Sequence, residues 1–79
     1  MENFYLNLQE QEGSSATYEH EHELHRLGCA FFPKDFQKFG PKEKSEDAIL
    51  AARIWAFIYH SDWYIDGCAY CCPEINSDR

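Results

Sequence analysis

Asp66-Gly67-Cys68-Ala69-Tyr70-Cys71-Cys72, read together with His25-Arg26-Leu27-Gly28-Cys29, decides how this chain of 79 residues folds. Two residues between Cys68 and Cys71 let one turn present both sulfurs to a single tetrahedral ion, and Gly67 lets the backbone fold tightly before them. Adjacent cysteines rarely ligate one ion together without strain, so Cys68 pairs with Cys71 and Cys72 stands as the substitute. His25 and Cys29 form an H-x-x-x-C with a glycine just before the thiol. Three thiolates and one imidazole make a closed structural site with no open position. The expected cofactor is therefore one structural zinc ion held by His25, Cys29, Cys68 and Cys71.

A chain of this length makes one domain at most, and its core alone supplies only a few kcal/mol, so a staple is expected. The composition is 44% apolar and 16% aromatic, too rich for a disordered chain. Met1-Glu2-Asn3-Phe4 has neither a basic region nor a long apolar run, and the stretch from Ala48 to Tyr59 is too short to span a bilayer. The expected location is cytoplasmic, where thiols stay reduced and four cysteines point to metal or redox chemistry rather than disulfides.

Outward from the cysteines, the pattern predicts an α+β fold. Phe4, Leu6 and Leu8 recur at period two, as do Tyr18, His20, His22 and Leu24, with Gly13-Ser14-Ser15 between them. This reads as an N-terminal β-hairpin over about residues 3–25, whose second strand competes with a helix. Gly28 and Pro33 bracket a bent segment that sends Phe31 and Phe32 into the core. Asp35 to Phe39 suits a short third strand closed by Gly40-Pro41. Ser45 is a good N-cap, and Glu46 and Asp47 favour the positive end of a helix over about 45–60. Its apolar residues, from Ile49 to Ile58, cover most of the circumference, so the helix is largely buried or also meets a partner. A Cys-rich turn at 66–73 and a flexible tail at 74–79 complete the chain, with Trp63 to Arg79 read as turn and tail.

Other constellations carry less. His20-Glu21-His22-Glu23-Leu24-His25 invites a metalloprotease reading, but H-E-x-x-H fails from both starts: the fourth residue after His20 is Leu24, and after His22 it is Arg26. His20 and His22 read as a solvated strand face, with assistance to the metal as the sharper alternative, and His60 is a possible replacement for His25. The acidic run Glu19 to Glu23 reads as solvated. Trp55, Trp63, Tyr59, Tyr64 and Tyr70 read as core and metal-shell packing. No nucleophile–base pair or phosphate loop stands out.

The order His25-x-x-x-Cys29, a Phe-and-Pro segment, Ser45-Glu46-Asp47-Ala48 with Ala51-Ala52-Arg53, and Asp66-Gly67-Cys68-Ala69-Tyr70-Cys71-Cys72 resembles small bacterial zinc-binding proteins. In these a histidine and a cysteine precede an "E-A…A" helix and a Gly-Cys-x-x-Cys turn. More distantly, it is similar to the zinc domain of the bacterial methyl-phosphotriester repair protein, where a helix also precedes a Cys-x-x-Cys. The resemblance spans residues 25–72 and implies a zinc site at His25, Cys29, Cys68 and Cys71. This sequence departs from the repair domain in its acidity and in having His25 where that domain has a cysteine.

The net charge of −7 disfavours nucleic acid and favours a protein partner with a basic surface. The expected function is thus a non-enzymatic, zinc-stabilised interaction module that binds a protein through its acidic hairpin or an aromatic surface. The alternatives are a zinc-dependent nucleic-acid module using Lys34, Lys38, Lys42 and Lys44, an acidic DNA mimic, and a redox or metal-handling protein using Cys71 and Cys72.

Overall fold

The structure, a computed structural model, describes residues 1–9 and 20–77. Among the described residues four strands form one sheet with a single α-helix against it: β1 (Glu2–Asn7), β2 (Glu21–Arg26), β3 (Phe36–Lys42), α1 (Ser45–Tyr59) and β4 (Tyr64–Gly67), followed by a one-turn 3-10 helix, Pro73–Ile75. The sheet order is β3-β1-β2-β4. β1 lies antiparallel to both β2 and β3, while β2 and β4 run parallel.

The α+β reading holds. β1 and β2 pair as the two arms of a hairpin, with Tyr5 opposite His25 and Leu6 opposite Leu24. The Gly13-Ser14-Ser15 turn and Tyr18 lie outside the described residues. His20 is in a turn with φ 54°, not in the strand, which starts at Glu21. The period-two alternation does its expected work: Phe4 and Leu6 of β1 and Leu24 of β2 bury on the side that meets Phe39, Ile65 and the helix.

β3 runs further than the sequence suggested, through Gly40-Pro41, whose peptide bond is cis, to Lys42. Its position at the sheet edge explains this, because an edge strand tolerates a residue without an N–H. β4 corrects the reading of residues 63–79 as turn and tail. Only four residues long, it has too few side chains to show a period, and its existence depends on the parallel pairing to β2. Residues 74–77, expected in a flexible tail, form part of the 3-10 turn and its exit. There Ile75 packs on the core, and Asp66 Oδ1 accepts the backbone N–H of Ser77 at 2.9 Å.

Ser45 is the first helical residue rather than the cap. Lys44 holds the cap position without a side-chain hydrogen bond. The helix meets the sheet through small residues, Ala48, Ala52 and Ala56, with Ile49 and Ser45 beside them. Its larger residues face outward: Leu50, Ile54, Phe57 and Ile58 are all more than half exposed. The helix is therefore not largely buried. Phe31 is also exposed, against expectation, and stands edge-on to Tyr70 at 5.3 Å. Phe32 is half-buried, packed against Tyr5 and Phe36.

β2 pairs along both edges and is buried on both faces: Glu21, His22, Glu23, Leu24 and His25 are all buried. The part of the acidic run that is described, Glu21 and Glu23, is thus not a solvated face. Both residues have interaction partners.

Gly67 sits where β4 passes under the 3-10 turn. A Cβ there would overlap Ile75 Cγ1 and approach the Cys72 carbonyl oxygen to 3.0 Å. Gly67→Ala is expected to cost about 1–3 kcal/mol through overpacking. A urea melt that matches the parent's would show that the 3-10 turn yields freely.

Candidate metal centre

Parallel pairing of β2 and β4 puts their carboxyl ends side by side. The register runs Glu21 with Tyr64, His22 with Ile65, Glu23 with Asp66 and Leu24 with Gly67. One step further, the Cys68 N–H donates to the Leu24 carbonyl at 3.0 Å, which sets Cys68 beside His25. Because Leu24 faces the helix, His25 leaves the opposite face of its strand.

The other two thiols arrive on turns. After β2, the Cys29 N–H donates to the Arg26 carbonyl at 3.2 Å, closing a four-residue turn with Gly28 at φ 89° in its third position. That conformation is the one a type II turn assigns to glycine. After β4, the Cys72 N–H reaches back to the Cys68 carbonyl at 2.8 Å, and this coil swings Cys71 over Cys68.

The result is a cluster of His25, Cys29, Cys68 and Cys71 whose ligand atoms all lie within 4.8 Å of one another. Cys29 Sγ is 3.9 Å from Cys68 Sγ, and Cys71 Sγ is 3.9 Å from His25 Nδ1. A tetrahedron with metal–sulfur bonds of about 2.3 Å has sulfur–sulfur edges of about 3.8 Å, so the spacing suits zinc. It is far from the roughly 2.05 Å of a disulfide, and all four cysteines are free. The four residues singled out from sequence are therefore close enough to hold one metal ion, and the arrangement is compatible with zinc.

The surroundings fit a cation as well. His25 is buried, its Nε2 has no hydrogen-bond partner among the described residues, and burial lowers its pKa to about 4. The ring is thus neutral at physiological pH, with a lone pair to donate. Burial also pushes the Cys68 and Cys71 thiols up, while backbone N–H groups aimed at their sulfurs pull the other way. The Arg26 N–H donates to Cys71 Sγ at 3.2 Å and the Phe31 N–H to Cys29 Sγ at 3.4 Å. Donors of this kind support thiolates, and a metal would supply the positive charge that burial otherwise makes necessary.

The substitutes fall elsewhere. Cys72, although its sulfur is 3.9 Å from that of Cys71, is fully buried in the apolar core, which raises its pKa to about 11. His60 and His22 both stack on Trp63, each lying nearly flat against its ring, at 3.9 and 3.6 Å. His20 Nε2 stands 3.8 Å from Asp62. None of these joins the cluster. Trp55 and Trp63 pack on the core, whereas Tyr59 and Tyr70 are exposed. Cys72→Ala is therefore expected to lower stability by about 1–2 kcal/mol and leave metal stoichiometry unchanged, whereas Cys71→Ala abolishes binding. Metal analysis of the two purified variants distinguishes them.

Arg26 was not singled out from sequence, because nothing in its type or spacing marks it. Its guanidinium donates to the Cys71 carbonyl at 2.6 Å and pairs with Glu2 at 2.9 Å and Glu74 at 2.8 Å. The hydrogen bond from Arg26 holds the Glu74 carboxyl down at about 2. One side chain thus ties β1, the Cys-x-x-Cys turn and the 3-10 turn together. Arg26→Met is expected to weaken metal affinity about 10- to 100-fold, as loss of outer-shell support generally does. Competition with a chromogenic chelator measures this.

Compared with family models, curated proteins and solved structures, the chain matches none. Among the described residues no helix is long and apolar enough to cross a membrane.

Proposed function

We propose that the chain is a non-enzymatic protein-interaction module whose fold is stapled by one structural zinc ion. The observation that carries this reading is the closed ligand set. Three thiols and one neutral imidazole lie close enough to complete a tetrahedron around one ion, which would leave no position for a reacting water, and they join the ends of β2 and β4 to the two loops that follow. Such an ion is part of the scaffold, so function belongs to the surface around it.

Two surfaces were expected, and they differ in support. Glu21 and Glu23 are buried, which removes them from an acidic contact and weakens the DNA-mimic alternative. The outward side of α1, in contrast, presents large apolar side chains to solvent, which in a small protein marks an interaction site.

Native mass spectrometry with and without chelator tests the zinc reading. The expected result is one zinc per chain, with thiols that resist a titrating reagent until the metal is removed. A folded, metal-free chain with four thiols reacting at once would end it.

A further inference from the structure

The outward face of α1 has an order of its own. Leu50, Ile54 and Ile58 stand four residues apart and form one ridge along the helix, with Phe57 beside it. They are 58%, 55%, 66% and 76% exposed. The small residues Ala48, Ala52 and Ala56 take the sheet side, so the bulk of the helix's apolar volume points away from its own core. The ridge reads the same from either end: a branched aliphatic residue lies one helical turn before Ile54 and another one turn after it.

We infer that this face pairs with the same face of a second copy of the chain, two α1 helices crossing antiparallel about a two-fold axis near Ile54. A two-fold contact must be self-complementary, and here Leu50 of each copy meets Ile58 of the other while the Ile54 side chains meet at the axis. Ridges of residues four apart interdigitate in the commonest class of helix packing. The four side chains expose on the order of 500 Å² per chain, so two copies bury on the order of 1,000 Å² before flanking residues count, which reaches the lower bound for a specific interface. Beyond Phe57 the ridge runs into a shallow groove lined by Arg53, Ser61 and Trp63, which extends the contact surface. No charged side chain interrupts the ridge. Arg53 is held to one side, its Nε and Nη2 donating to the Ile65 carbonyl at 3.3 and 3.2 Å.

The inference rests on the interaction-module reading and names its partner. Its electrostatic signature is distinctive. Each copy carries a net charge of −7, so long-range repulsion opposes pairing and added salt tightens it. Contact between an acidic surface and a basic partner has the opposite salt dependence.

Sedimentation equilibrium of the metal-loaded protein, from about 1 µM to about 1 mM, at low and high salt, tests this. The expected result is a monomer–dimer equilibrium with a Kd in the range of about 1–100 µM that tightens as salt rises. Ile54→Lys, at an exposed position away from the sheet, should make the chain monomeric throughout that range, with the circular dichroism spectrum unchanged; Leu50→Lys serves as a second disruptor. A parent chain that stays monomeric throughout, a dimer that weakens with salt, or a dimer that survives both substitutions overturns the inference. A monomer would leave the surface to a different protein. The metal content of each sample, measured alongside, shows separately whether the zinc reading stands.

Discussion

Removing the proposed zinc ion is expected to unfold this protein. A structural zinc site contributes on the order of 10 kcal/mol, whereas a core of this size supplies only a few. The ligands are also placed where unfolding would spread. His25 and Cys68 end two adjacent parallel strands, and Cys29 and Cys71 anchor the loops that leave them. Parallel strands have no hairpin to hold them in register, so a metal held there would cross-link the ends that chain connectivity leaves separate. Thermal melts followed by circular dichroism should show a cooperative transition for the loaded protein and none near physiological temperature after chelation. His25→Ala and Cys68→Ser should each reproduce the chelated state. An apoprotein that melts cooperatively at the parent's temperature would place the stability in the core instead.

Acid should release the metal steeply. Burial holds the Cys68 and Cys71 thiols up, so both are protonated in the metal-free fold and each gives up a proton when the ion binds. The protons displaced from these two thiols alone weaken apparent affinity about 100-fold for each pH unit of acidification. Below pH about 4 the His25 imidazole also takes a proton, which closes its lone pair. Any metal-free fold behaves in the opposite sense on the alkaline side. Its thiols titrate later than those of the unfolded chain, so above the ordinary thiol pKa the unfolded state has bound fewer protons and stability falls as pH rises. His25 is the reverse case: its lowered pKa makes the metal-free fold lose stability as pH falls from the unfolded value of 6.5 through about 4. Zinc competition at a series of pH values measures the slope. A flat profile between pH 6 and 8 would remove the two thiols from the ligand set.

Local signals explain how much was legible beforehand. Gly28, which alone suits the left-handed position of its turn, marked the approach to Cys29, and the two-residue gap between Cys68 and Cys71 marked one coil of backbone. Period-two alternation placed Phe4, Leu6 and Leu24 on the helix side of the sheet. Acidic residues at the start of α1 placed its first turn to within a residue. Each of these depends on neighbours within a few positions of chain.

What escaped the sequence depends on partners far along it. β4 is too short to announce itself, and only pairing with β2 makes Tyr64–Gly67 a strand. The spacing of Glu21 and Glu23 is that of a strand with one wet face, whereas β2 is buried on both faces, which depends on segments distant in the chain. The width of the helix's apolar surface was visible, but not which part of it the sheet would take. The sheet took the alanines, because small side chains let the backbones approach closely, and the large residues were left outward.

By itself, then, the sequence determined the four candidate ligands, the hairpin arms and the helix, since turn chemistry and residue periodicity are local properties. Tertiary structure alone decided that Cys68 comes to lie beside His25, that Arg26 braces Cys71, that Cys72 belongs to the core, and that α1 shows its bulkiest side to solvent. Those outcomes follow from the parallel register of β2 with β4 and from the close packing of α1, and strand pairing across such separations leaves no periodic mark on the residues it joins.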